Sequence, residues 1–383
     1  IWLEVFRWAT TPDNGSCDHS VSAYIPFQPP IHSNISDPII TIRSALPLVC
    51  RQWKRLSDEF LYQDLKLVPQ GTHALKDAFS QGKYQGRWVR RVVLPYPSTV
   101  TRSYNAAQPS IEILRRCPNL ETLVRPPLSV YEDLYFHFNH DDAEHLPLLS
   151  LRRLDWWLLN EAERSGGINS LGSVLRSAPN IQYLSIGGVV PYSRIRMDPV
   201  TEPLCLSVLQ TLRLHTGHGL FLRQIQSWGL PALSRIILDS PMIGGSLEGI
   251  WQAFGSQLRV IEFGRHVRFL LADVLSACLL ACPNLTEINY YLFFTAPPEI
   301  RHPHESINTV GLHAAANMLF QDDGEVCSHL EQHLEILKNS LPTLRRVVLY
   351  GEWEGISSHP RFDHTVQSLR DRGTAVEFPS LPH

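Results

Sequence analysis

Residues 171–186 read LGSVLRSAPNIQYLSI, and the plan of most of the chain can be taken from them. Leu171, Val174, Leu175 and Ala178 recur at three- and four-residue steps, the spacing of one apolar helix face. Pro179 disfavours helix in the residue before it, so the helix should stop at a Pro-Asn turn. From Ile181 the pattern changes to L-x-x-L-x-L with apolar substitutes, where alternate residues face the same way as in a strand.

The strand phrase recurs ten times across the 383 residues. It reads VRRVVL at 89, LETLVR at 120, LRRLDW at 151, IQYLSI at 181 and LQTLRL at 209. It continues as LSRIIL at 233, LRVIEF at 258, LTEINY at 285, INTVGL at 307 and LRRVVL at 344. The steps run from 22 to 37 residues, a loose period that suits stacked units better than a closed globule. Helical runs that stop at proline also precede the phrases at Ile111–Cys117, Val274–Cys282 and Leu330–Leu341. Twenty-odd residues between strands, often helical, are a crossover and not a hairpin, so the sheet should be parallel. Cys117-Pro118-Asn119-Leu120 and Cys282-Pro283-Asn284-Leu285 resemble the irregular, helix-containing class of leucine-rich repeats. The expectation over 89–383 is therefore an α/β solenoid of about ten irregular units. It would have a curved parallel sheet and helices on the outer face.

Upstream, Ala45–Leu67 reads ALPLVCRQWKRLSDEFLYQDLKL. Leu46, Val49, Cys50, Trp53, Leu56 and Phe60 line one helix face, with Pro47 expected in its first turn. Ahead of it Ile1–Ala9 is apolar at seven of nine positions, more than one inward stripe requires. Residues 10–40, with prolines at 12, 26, 29, 30 and 38, read as a long irregular insertion. An apolar helix followed by L-x-L-V-C-R-x-W-x-x-L resembles the F-box, the docking module of cullin-based SCF ubiquitin ligases. It looks most like the F-box-like proteins of mushroom-type fungi. The resemblance implies a helical module over 1–67, a connector over 68–88 and the repeat array behind it. It also implies that Ile1, Val5, Phe6, Pro47, Leu48, Val49, Cys50 and Trp53 form the module's core and its contact with the SCF adaptor subunit, and through it a cullin.

Composition narrows the classes. The 34 basic and 37 acidic residues nearly cancel, and no basic run exceeds a pair, which argues against nucleic acid and anionic membrane. Seven cysteines without a tight framework fit a reduced compartment, cytoplasmic or nuclear. The apolar run Phe269–Cys282 is interrupted by Asp273 and too short to span a bilayer. The chain starts at Ile1 and not at Met, so a preceding segment is expected. The sequons at Asn14 and Asn34 are of a kind common by chance.

Candidate chemistry is thin. His329 and His333 flank Glu331 in the order H-x-E-x-H, which is not the zinc-protease order; an exposed polar helix face is expected there. Cys278 and Cys282 are expected to be core packing, and His302-Pro303-His304 a solvated loop. Gly244-Gly245-Ser246 lacks the spacing of a phosphate loop, and Asp322-Asp323-Gly324-Glu325 the alternating ligands of a calcium loop. No enzyme, metal or cofactor is therefore expected.

With the leucines pointing inward, the third and fifth residues of each phrase project from the open strand face. Asp155, Tyr183, Arg213, Arg235 and Glu262, with Trp157 two beyond Asp155 and Tyr291 two beyond Asn289, are thus candidates for binding a protein substrate, with Arg213 and Glu262 expected exposed. The expected function is substrate recruitment to an SCF-type ligase. The alternative is an interaction scaffold with a degenerate F-box and no ligase role.

Overall fold

The computed structural model describes residues 1–10, 24–29, 38–67, 72–81, 85–94, 108–127, 146–159, 167–189, 203–215, 219–239, 247–265 and 271–379. The sequons and Gly244–Ser246 lie outside the described residues. The chain divides into two compact units, broadly residues up to 209 and residues 210–381, with residues 24–29 belonging to the second.

The first unit opens with helices α1 (Trp2–Thr10), α2 (Pro38–Val49) and α3 (Arg51–Gln63). One continuous helix face across Pro47 was expected; two helices are found. Pro47 removes an amide donor late in α2, and the chain leaves helix at Cys50, which is extended. Cys50 then caps α3, its Sγ accepting from the Trp53 amide at 3.4 Å.

Strands β1 (Asp64–Lys66), β2 (Arg91–Val93), β3 (Thr122–Arg125), β4 (Arg153–Leu159) and β5 (Tyr183–Val189) pair in chain order, all parallel. Between them come α4 (Thr72–Gln81), α5 (Gln108–Arg115) and α6 (Leu171–Ser177).

The second unit repeats the scheme. Strands β6 (Thr211–Leu214), β7 (Arg235–Leu238), β8 (Val260–Phe263), β9 (Glu287–Tyr291), β10 (Thr309–Ala314), β11 (Arg346–Gly351) and β12 (Ala375–Glu377) are again parallel and in chain order. Helices α7 (Gly219–Gln226), α8 (Glu248–Phe254), α9 (Leu275–Ala281), α10 (Asp323–Ser340), α11 (Glu354–Ser357) and α12 (Pro360–Arg370) lie between strands. All ten phrases are strands, in a leucine-rich-repeat-like α/β arrangement. The strands β1 and β12 were not anticipated. No helix of the described residues is long and apolar enough to cross a membrane.

The phrase dictates this packing. Its fourth residue is wholly buried strand after strand: Leu123, Leu154, Leu184, Leu212, Ile236 and Ile261 are all 0% exposed. Burying each such side chain contributes roughly 1.5–3 kcal/mol, which one unit cannot obtain without a neighbour on each side.

The second and third residues stitch units together. Both amides of Arg152 and Arg153 donate to Glu121 O, those of Gln182 and Tyr183 to Arg152 O, and those of Arg259 and Val260 to Ser234 O. The Pro-Asn asparagine has the same task. Asn119, Asn180 and Asn284 donate their side-chain amides to Arg87 O, Leu149 O and Ser256 O, one unit back, at 2.7–2.8 Å. Glycines close the spacing: a Cβ at Gly255 would lie 2.3 Å from Ala281 O.

Two expectations are corrected here. His329 and His333 are buried, not on an exposed face. Their Nε2 atoms meet Thr295 O at 3.1 and 3.0 Å, so both Nε2 carry the proton; His333 Nδ1 is then left to accept from Tyr290 Oη at 3.1 Å. The segment between β9 and β10 turns His304 inward, not into solvent, and its Nε2 meets Cys282 O at 3.0 Å. Asp322–Glu325 is a helix cap: Asp322 accepts from the Glu325 amide at 2.8 Å, and Glu325 from the Gln321 amide at 2.9 Å. Cys278 and Cys282 are fully buried. Among the described residues no group of three His, Cys, Asp or Glu could hold a metal ion.

Candidate functional site

Most of the residues singled out from the sequence lie on two surfaces, one in each unit. The first is the helical module. Phe6, Leu46 and Phe60 form its core, with Trp53 and Leu56 packed against it. Phe6 stands 4.8 Å from Trp53 and 6.4 Å from Phe60 between ring centroids, both edge-on, and Trp2 stands 5.0 Å from Trp53.

Arg43 locks the module: it is buried, ion-paired with Asp64 of β1, and donates to Thr10 O at the C-terminus of α1 at 3.1 Å. A cation there also meets the negative end of the helix dipole. Nothing in the apolar pattern marks Arg43.

The core leaves a great deal outside. Ile1, Trp8 and Leu48 are 100%, 87% and 84% exposed, and Trp2, Leu3, Val5 and Val49 are exposed as well. Of the residues expected at the adaptor contact, Phe6 is consumed by the core, Trp53 and Pro47 are half-buried, and Ile1, Val5, Leu48, Val49 and Cys50 face water.

The second surface is the strand face of β6 to β11. It is occupied. Residues Tyr24–Pro29, which lie in sequence between α1 and α2, are seated on it. Tyr24 Oη donates to Glu262 Oε2 at 2.6 Å and accepts from Asn289 Nδ2 at 2.9 Å. The Phe27 amide donates to the same Glu262 oxygen at 2.9 Å. Gln28 O accepts from Arg213 Nη1 at 2.7 Å.

The Phe27 ring sits among Tyr291, His313 and Tyr350, with centroids at 5.2, 5.0 and 5.1 Å, all near edge-on. Phe27 has φ 60°, left-handed backbone that costs a non-glycine residue about 1–2 kcal/mol. Three edge contacts at roughly 0.5–1.5 kcal/mol each offset that cost. A side chain at Gly311 would not fit, since its Cβ would lie 2.0 Å from Asn289 Oδ1.

Arg213 and Glu262 are therefore buried, at 5% and 3% exposed, not free as the strand alternation implied. Alternation assigns a face; it does not reveal that another segment covers it. Arg213 is further held by a two-pronged pair with Asp239, at 2.8 and 2.6 Å. Burial pulls the Asp239 carboxyl up, but hydrogen bonds from His215 and Arg213 outweigh it and hold it down at about 2. For Glu262 burial prevails over its donors Tyr24 and Phe27 and pushes it up to about 7. Burial also raises the Tyr24 hydroxyl, with the Glu262 charge adding to it, and lowers His313 to about 4.

Arg213, Glu262 and Tyr291 thus come together, while Arg235 is half-buried on β7 of the same unit. Asp155, Trp157 and Tyr183 belong to the first unit. Asp155 is buried and paired with Arg153 at 2.7 Å, and the Arg153 guanidinium lies 4.1 Å over the Tyr183 ring. Sequence reasoning missed Asp239, His313 and Tyr350, each one alternation step beyond the fifth residue of its phrase. It also missed Tyr24 and Phe27, which carry no local signal; Tyr24 is 238 positions from its partner Glu262.

No family model and no curated protein matches the chain. Among solved structures, the leucine-rich repeat-containing protein LegL7 from Legionella pneumophila is similar at 11% identity. The TM-score is 0.40, over 83% of this chain and 95% of that one.

Proposed function

We propose that the chain recruits a protein to an SCF-type ubiquitin ligase. Its first three helices would hold the adaptor subunit, and through it a cullin, and the strand face of the second unit would bind the recruited protein. Ubiquitin transfer would fall to other subunits, this chain supplying proximity. The observation that carries the reading is the division of apolar side chains in the module. Phe6, Leu46 and Phe60 make a core, and Ile1, Val5, Trp8, Leu48 and Val49 are left in water. So concentrated an apolar surface normally marks a partner site. Covering each large side chain contributes about 1.5–3 kcal/mol, enough for a stable contact from a handful.

The test is a pull-down of purified adaptor by the full chain and by Leu48→Asp with Val49→Asp. Both residues are exposed, so the variant should melt like the parent and capture no adaptor. A parent chain that captures no adaptor but still binds protein on its strand face would be the scaffold without a ligase.

A further inference from the structure

The strand face of the second unit reads its occupant in a way that ordinary loop packing does not require. Glu262 takes two donors from the segment, one a tyrosine hydroxyl and one the Phe27 main-chain amide. Arg213 binds the main-chain carbonyl of Gln28. Tyr291, His313 and Tyr350 enclose the ring of Phe27, while Ile25 between the two anchors faces water. The features recognised are a tyrosine, an aromatic ring three residues later, and the turn between them, closed by Gln28 N to Ile25 O at 3.3 Å.

Two observations indicate an occupant short of the best fit. Phe27 is held in left-handed backbone, strain of the kind that collects at binding sites. Asn289 Oδ1, in a side chain only 1% exposed, has no hydrogen-bond partner among the described residues.

We propose that this face is a binding site for a peptide carrying Tyr-x-x-Phe in a turn, and that residues 24–29 are its displaceable resident ligand. The proposal rests on taking the strand face as the protein-binding surface, and it is independent of adaptor docking. A ligand tethered in cis competes at an effective concentration in the millimolar range, so it lowers apparent affinity for a free peptide by ten- to a hundredfold. The partner is then a turn-forming segment of another protein with the same anchors, and the chain's own segment sets the threshold it must exceed.

The probe is a fluorescent peptide of residues 22–30, SAYIPFQPP, titrated against the full chain and against Tyr24→Ala with Phe27→Ala. The variant should bind it at least tenfold more tightly than the parent, and adding Arg213→Ala to the variant should remove the binding. Where the double variant fails to fold, Tyr24→Phe decides, because it removes one hydroxyl and keeps the ring. It should bind the peptide about three- to tenfold better than the parent. Equal affinity for parent and folded variant, or no binding to either, overturns the proposal. Adaptor capture measured on the same proteins keeps the two readings apart. Loss of peptide binding with adaptor capture intact sinks this inference alone, and the reverse sinks only the ligase reading.

Discussion

Glu262 is a carboxylate that its surroundings work against. Its folded value of about 7 stands above the ordinary 4.5, so the folded state binds its proton more tightly than the unfolded chain. The stability this lends is fully present below pH 4.5 and is lost as pH rises through 7, an amount of about 3 kcal/mol. Glu262→Gln keeps an acceptor for Tyr24 and the Phe27 amide but has no charge to bury. The stability difference between variant and parent, from urea unfolding, should move by about that much in the variant's favour between pH 4 and pH 8. A flat difference would mean that Glu262 is solvated and that residues 24–29 do not cover it.

At the scale of the element, α10 contributes a pH dependence of opposite sign. Burial and the neighbouring His329 lower His333 to about 3, so the folded state holds it neutral. The stability due to His333 is present above pH 6.5 and drains away as pH falls towards 3, at most about 5 kcal/mol. In the parent this partly cancels the gain from Glu262, and only variants separate the two. His333→Gln can donate to Thr295 O and accept from Tyr290 without titrating, and should flatten the acid limb of the stability curve. An acid limb unchanged in that variant would place the loss elsewhere. The Pro-Asn turns test the stacking of elements more gently. Asn180→Ala forfeits one bond to Leu149 O and should cost about 1 kcal/mol in a thermal melt.

For the whole molecule, the parallel order means that each strand is stabilised by its neighbours and a defect spreads through the stack. Leu212 on β6 is fully buried, so Leu212→Asp places an unpaired charge in apolar surroundings. The cost should exceed about 4 kcal/mol, and limited proteolysis should digest residues 210–379. Resistance equal to that of the parent would refute the inward assignment of the fourth residue in each phrase. Leu48→Asp with Val49→Asp should leave the parent's digestion pattern unaltered, because both positions are exposed.

The strands were legible because their signal is local. Leu154, Leu184, Leu212 and Ile261 repeat an alternation that pleating enforces, and the Pro-Asn turns punctuate it whatever lies nearby. The short strands Asp64–Lys66 and Ala375–Glu377 escaped, since neither lies in a full six-residue phrase opening on Leu, Ile or Val, of the kind that marked Arg91–Val93. The inward and outward faces were likewise written in the chain, and with them the positions of Arg213, Glu262 and Tyr291. What covers those faces was not. Arg43 joins Thr10 to Asp64, and Tyr24 and Phe27 reach Glu262 from more than two hundred positions away. Such contacts follow from where loop closure brings distant segments together, which no periodicity encodes. Only the tertiary structure, by seating residues 24–29 on the strand face, turned an expected open surface into an occupied site.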